Sequence, residues 1–140
     1  MGKEVWLTVT GEQKDADGRR DRSSTQCRAR YEKEGDLHVF EYRERGDGGE
    51  IIRSRLVFSG RQCRIEREGA VRTVMCFRPD EETEAEYETG FGSIPMKIFT
   101  RRLAMKEIGD NIHARVTYNL RLGGGDPVEC AVTIKAEPAE

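Results

Sequence analysis

The chain has no run of apolar residues long enough to cross a bilayer as a helix. Its start, MGKEVWLTVTGE, is charged at Lys3 and Glu4 and lacks the apolar stretch of about seven residues or more that an export signal needs. The expectation is a cytoplasmic protein without membrane contact. Cysteine is sparse, with Cys27, Cys63, Cys76 and Cys130 widely separated, and no pair has the CxxC spacing of a zinc ribbon or a thioredoxin-type site. The only histidines, His38 and His113, are far apart, have no acid or nucleophile at a motif spacing, and no GxSxG elbow accompanies them. Cysteine and histidine do not cluster, so the sequence assigns no metal site, cofactor or catalytic residue, and the chain is not expected to be an enzyme.

What the chain does have is charge. Charged and hydrophobic residues each make up 36% of the 140 residues, the balance of a soluble domain with a heavily charged exterior. That length suits one domain spanning residues 1–140. The net charge of −2 is unevenly spread: residues 1–79 hold 17 basic and 14 acidic side chains, residues 80–140 hold 7 and 12. Eighteen of the 24 basic residues are arginine, whose planar guanidinium meets a carboxylate through two parallel hydrogen bonds and so suits ion pairs on a sheet exterior.

The strongest pattern is alternation. In NIHARVTYNLRL, Ile112, Ala114, Val116, Tyr118, Leu120 and Leu122 alternate with Asn111, His113, Arg115, Thr117, Asn119 and Arg121, a strand with one dry and one wet face that leaves His113 outside. Val128 to Ala136 repeats it after the turn LGGGDP. Strand patterns also cover residues 5–9, 26–34, 37–44, 51–59, 62–68, 71–77, 84–89 and 94–98, separated by turn signals at Gly35–Asp36, Gly46 to Gly49, Gly60, Gly69, Arg78 to Glu82 and Gly109 to Asn111. These predict an all-β antiparallel meander of about eight to ten strands, closed into a barrel because closure removes exposed edges; a sandwich is the alternative. Residues 14–24 read as a loop with a mobile tip. Gly90–Phe91–Gly92 reads as a corner in a bent sheet, since no helical pattern follows to make a phosphate cradle. Pro95 argues for an edge, bulge or bend, and an edge there could pair with a second copy, which leaves a homodimer open. Cys27, Cys63 and Cys130 share strand parity with apolar neighbours, as buried thiols would, and Cys63 could approach Cys76 across a hairpin near Gly69.

Two surface features invite function. Residues 80–88, DEETEAEYE, read as a turn and an exposed edge strand whose glutamates discourage association between sheets. Arg28 and Arg30, Arg43 and Arg45, and Arg53 and Arg55 recur at alternate positions and could form a basic stripe for RNA or an acidic protein. Glu32, Glu34 and Glu41 continue the same faces, so cross-strand Arg/Glu pairing is the favoured explanation and nucleic acid is an unfavoured partner.

Arg67, Gly69 and Val71, then Tyr87, Phe91 and Gly92, then Met96, Ile98 and Thr100, then the strand holding Tyr118, together with Tyr42 and Glu44, resemble in order the YwiB-like family of bacterial proteins, whose function is uncharacterised. The resemblance runs from about residue 36 onward. It implies a small antiparallel barrel similar to calycins and lipocalins and supplies no catalytic residues. In a barrel of that size, inward Tyr42, Tyr87, Thr89, Thr100 and Tyr118 could line a cavity for a small, largely apolar ligand, or could fill a solid core.

Overall fold

The computed structural model describes residues 3–45 and 48–139. Ten strands follow one another: β1 Lys3–Lys14, β2 Arg20–Glu34, β3 Leu37–Arg45, β4 Ile51–Phe58, β5 Cys63–Glu68, β6 Arg72–Phe77, β7 Glu82–Thr89, β8 Gly92–Ile108, β9 Asn111–Leu122 and β10 Val128–Pro138. Each is antiparallel to the next, and β10 pairs back onto β1 from Val5↔Pro138 to Lys14↔Glu129, closing an up-and-down barrel. The fold is calycin-like. Of the glycine run expected to turn β3 into β4, Gly46 and Asp47 lie outside the described residues.

Alternation builds the barrel as the sequence demands. Val5, Leu7, Phe40, Leu56, Phe58, Phe77, Ile98, Val116 and Ile134 point inward and are buried. Their rings pack directly: Phe40 stacks on Phe58 at 5.5 Å between centroids, and Phe77 meets Tyr118 at 4.7 Å. Burial of one such ring stabilises the fold by about 1.5–3 kcal/mol.

Three local expectations are corrected. Most of residues 14–24 is not loop: β1 and β2 stay paired out to Lys14↔Arg20, because Thr10 and Ser24 join hydroxyls at 3.1 Å and Glu12 faces Arg22 across the ladder. Gly90–Phe91 is not a corner but the two-residue turn of the β7–β8 hairpin, with Gly92 at φ 135°, where a side chain would be strained. Cys63 and Cys76 do sit on paired strands, but Cys63 lies opposite Phe77 and points in, while Cys76 lies opposite Arg64 and points out. Opposite faces of one ladder cannot be joined by a disulfide without moving the backbone.

The wall is not uniform. A bulge between Thr100 and Arg102 inserts Arg101 into β8, so that Leu103, Met105 and Glu107 rather than Arg102, Ala104 and Lys106 take the inward parity beyond it. β2 pairs with β3 only from Arg30↔Glu41 to Glu34↔Leu37, and β6 is joined to β7 by the single bridge Arg72↔Glu88. β7 is therefore close to the edge strand its glutamates suggest. Pro95 lies just before the β8–β9 ladder, which starts at Met96↔Leu122, so its missing N–H costs that ladder nothing.

Candidate functional site

The five tyrosines and threonines expected inside differ in burial and in partners. Tyr42 and Tyr118 are buried, Thr100 is fully buried beside Tyr118 across the β8–β9 ladder, and Tyr87 is half-buried on β7. Thr89 serves the hairpin turn: its Oγ1 accepts from the Phe91 N–H and donates to the Gly92 carbonyl, both at 3.1 Å. Burial pushes both phenols, Tyr42 and Tyr118, well above their ordinary range. It also raises the Cys63 thiol to about 12 and the Cys130 thiol to about 11, so these two buried cysteines are inert packing groups.

Two inward polar groups escaped the sequence. Ser54 donates to Glu44 at 2.7 Å, and Arg67 Nε stands 3.4 Å from the same carboxylate, giving one end of the barrel a polar lining from β3, β4 and β5. At the other end, His38 is only 1% exposed, its Nδ1 2.7 Å from the Tyr31 hydroxyl and its Nε2 3.5 Å from Glu107. The β2–β3 hairpin register could have paired Tyr31 with His38, since both share the inward parity with Phe40. Glu107 had no such signal, because only the bulge turns it inward.

The outer wall holds the arrangement with the clearest chemical consequence. Arg28, Arg30, Arg43, Arg45, Arg53 and Arg55 all take the outward parity of β2, β3 and β4. Arg28 is spent locally, 3.2 Å from Glu4 and 5.2 Å over the Trp6 ring, and Arg45 lies beyond the cluster. Arg30, Arg43, Arg53 and Arg55 join Arg72 around a groove of about 530 Å³ on the wall from β2 to β6, whose lining also takes in the inward Tyr42, Ser54, Arg67 and Thr73. Three outward glutamates, Glu41, Glu66 and Glu68, share its lining with the five outward arginines, which leaves the outer surface of the groove net +2 in a chain of net −2.

Pairing across the ladder accounts for part of this charge. Arg55 stands 3.9 Å from Glu41 and 3.5 Å from Glu66, and Arg30 is 4.0 Å from Glu32. Arg43, Arg53 and Arg72 make no ion pair among the described residues, and Arg43 lies directly opposite Arg53 in the β3–β4 ladder. Like charges opposite one another destabilise a sheet, so this juxtaposition is a cost that strand pairing alone does not explain. No outward aromatic side chain lines the groove. Among the described residues, no group of three or more metal-ligating side chains occurs and no helix is long and apolar enough to cross a membrane.

A closed, ten-stranded, up-and-down antiparallel barrel with a charged exterior defines the class. Over residues 7–134 the chain matches the family described as Domain of unknown function (DUF1934), and it belongs to that family. The fold is similar to the crystal structure of the YwiB protein from Bacillus subtilis, with a TM-score of 0.87 and 20% identity over 99% of this chain and 94% of that one. No curated protein matches the chain.

Proposed function

We propose that this chain is a non-catalytic interaction module of the cytoplasm, whose groove on the outer wall of β2–β6 binds an acidic protein segment. The observation that carries this reading is the opposed pair Arg43 and Arg53, both exposed and neither neutralised. A carboxylate lying between them would turn a repulsive pair into two charge-assisted contacts. The glutamates interspersed along the groove favour a peptide of mixed charge over RNA, whose phosphates are uniformly negative, and the groove offers no aromatic platform for bases. Poly-L-glutamate and a single-stranded RNA homopolymer, compared by fluorescence anisotropy at low and high salt, test it. Binding of the polypeptide should weaken by about tenfold or more in Arg43→Glu/Arg53→Glu, because two close charge contacts become repulsive. Equal binding by the variant would overturn the reading, and tighter binding of RNA would replace the peptide as partner.

A second reading, a small ligand inside the barrel, is favoured by one feature: Thr100 Oγ1 and Thr73 Oγ1 are buried without a hydrogen-bond partner among the described residues. Such hydroxyls cost about 1–3 kcal/mol each unless something supplies the missing bond. A non-covalent adduct in native mass spectrometry, lost on denaturation, would establish it; a bare mass would leave the interior to its own side chains.

A further inference from the structure

The groove lies beside its electrostatic complement on the same wall. Glu82, Glu84, Glu86 and Glu88 occupy every outward position of β7, all are exposed, and none makes an ion pair among the described residues. They form a ridge of like charges about 7 Å apart. The ladder registers β4–β5, β5–β6 and β6–β7 set Arg53, Glu68, Arg72 and Glu88 at one height along the wall, with Arg55, Glu66 and Val74 at the next. Val74, exposed at 38%, stands between ridge and groove.

Resting on the reading of the groove as a site for acidic protein, we infer that its partner is the β7 ridge of a second copy of this chain. A two-fold axis running along the wall between β5 and β6 sets β7 of each copy against β4 of the other, and β6 against β5. Glu88 then faces Arg53 of the second copy, Glu86 faces its Arg55, and Arg72 faces its Glu68. Because ridge and groove flank the same axis, the contact is isologous and closes at two copies instead of running on as a filament. Val74, near the axis, falls opposite Glu66 of the second copy, a carboxylate already held by its own Arg55 and Arg64 at 3.5 and 3.0 Å. The interface also spans the β6–β7 junction, which has one ladder bridge and the Thr83 hydroxyl donating to the Cys76 carbonyl, and so braces the thinnest ladder of the barrel.

Sedimentation equilibrium of the full chain across ionic strength reads the association directly. The wild type should be a dimer at low salt that dissociates as salt rises. Glu86→Arg/Glu88→Arg and Arg53→Glu/Arg55→Glu should each raise the dissociation constant by about tenfold or more, and mixing the two variants should restore a heterodimer, because both of its ridge-and-groove contacts are again of opposite charge. All four positions are outward, and circular dichroism of each variant is the control for folding. A wild type that is monomeric at low salt, or a dimer indifferent to both pairs of substitutions, overturns the inference. A monomeric wild type whose poly-L-glutamate binding is still abolished by Arg53→Glu/Arg55→Glu would leave the groove as an acidic-protein site and remove only the identification of its partner.

Discussion

Removing one oxygen from Tyr31 tests the polar end of the barrel. His38 is held in the interior between the Tyr31 hydroxyl at 2.7 Å and Glu107 at 3.5 Å, packed against Phe58 at 5.7 Å between ring centroids. Burial lowers the imidazole pKa, Lys33 lowers it further, and Glu107 and Asp36 oppose the shift. The neutral ring presents its Nε2–H toward Glu107 and takes the phenol's hydrogen bond at Nδ1. In Tyr31→Phe that Nδ1 is left buried and unpaired, at a cost of about 1–3 kcal/mol. For a chain of this length each kcal/mol lowers Tm by about 3 °C. A folded-state pKa below the unfolded value means the unfolded chain binds the extra proton first. The stability that rests on neutral His38 is therefore complete above the unfolded pKa of about 6.5 and is lost as pH falls through the folded value. Urea unfolding of the wild type at pH 7.5 and at pH 5 should show that loss, with a slope from this group of at most about 1.4 kcal/mol per pH unit, and His38→Phe should flatten it. A Tyr31→Phe protein within about 0.5 kcal/mol of wild type, or a His38→Phe protein with an unchanged pH slope, would refute the account.

Other consequences can be measured on the same material. A Cβ added at Gly69 would meet the Ile51 carbonyl oxygen at 2.9 Å and the Ile52 Cα at 3.3 Å, both backbone, so Gly69→Ala should cost about 1–3 kcal/mol in urea unfolding. Thr100→Val replaces a fully buried, unpartnered hydroxyl with a methyl group and should be neutral or stabilising, unless an interior ligand uses that oxygen, in which case any native adduct disappears with it. In the native protein a thiol reagent should modify Cys76, which is outward and half-buried, far faster than Cys63, which is buried with its thiol raised to about 12; equal rates would contradict the facing of β6.

Much of this was written in local pattern. A side-chain period of two is a property of each strand alone, so Ile112 to Leu122 and Val128 to Ala136 announced their inward faces before any strand was paired. The same parity placed the six arginines outside and Cys63 and Cys130 inside. Where local pattern failed, a partner strand had overridden it. Residues 20–24 read as loop because they are polar, yet the ladder to β1 satisfies their backbone, and Arg22 faces Glu12 across it. Gly90–Phe91 read as a corner, and it is the pairing of Thr89 with Gly92 across the hairpin that makes it a turn.

The sequence by itself determined an all-β chain, its strand order, the inward and outward set on nearly every strand, and the absence of any motif-spaced catalytic group, because these follow from periodicity and spacing along one chain. Only the tertiary structure decided which arginines remain unpaired, that Arg43 confronts Arg53, that Glu107 reaches His38 past the bulge at Arg101, and that the acidic ridge borders the basic groove. Those are relations between strands, set by register and by the closure of the barrel, and register depends on how all ten strands bury one shared interior.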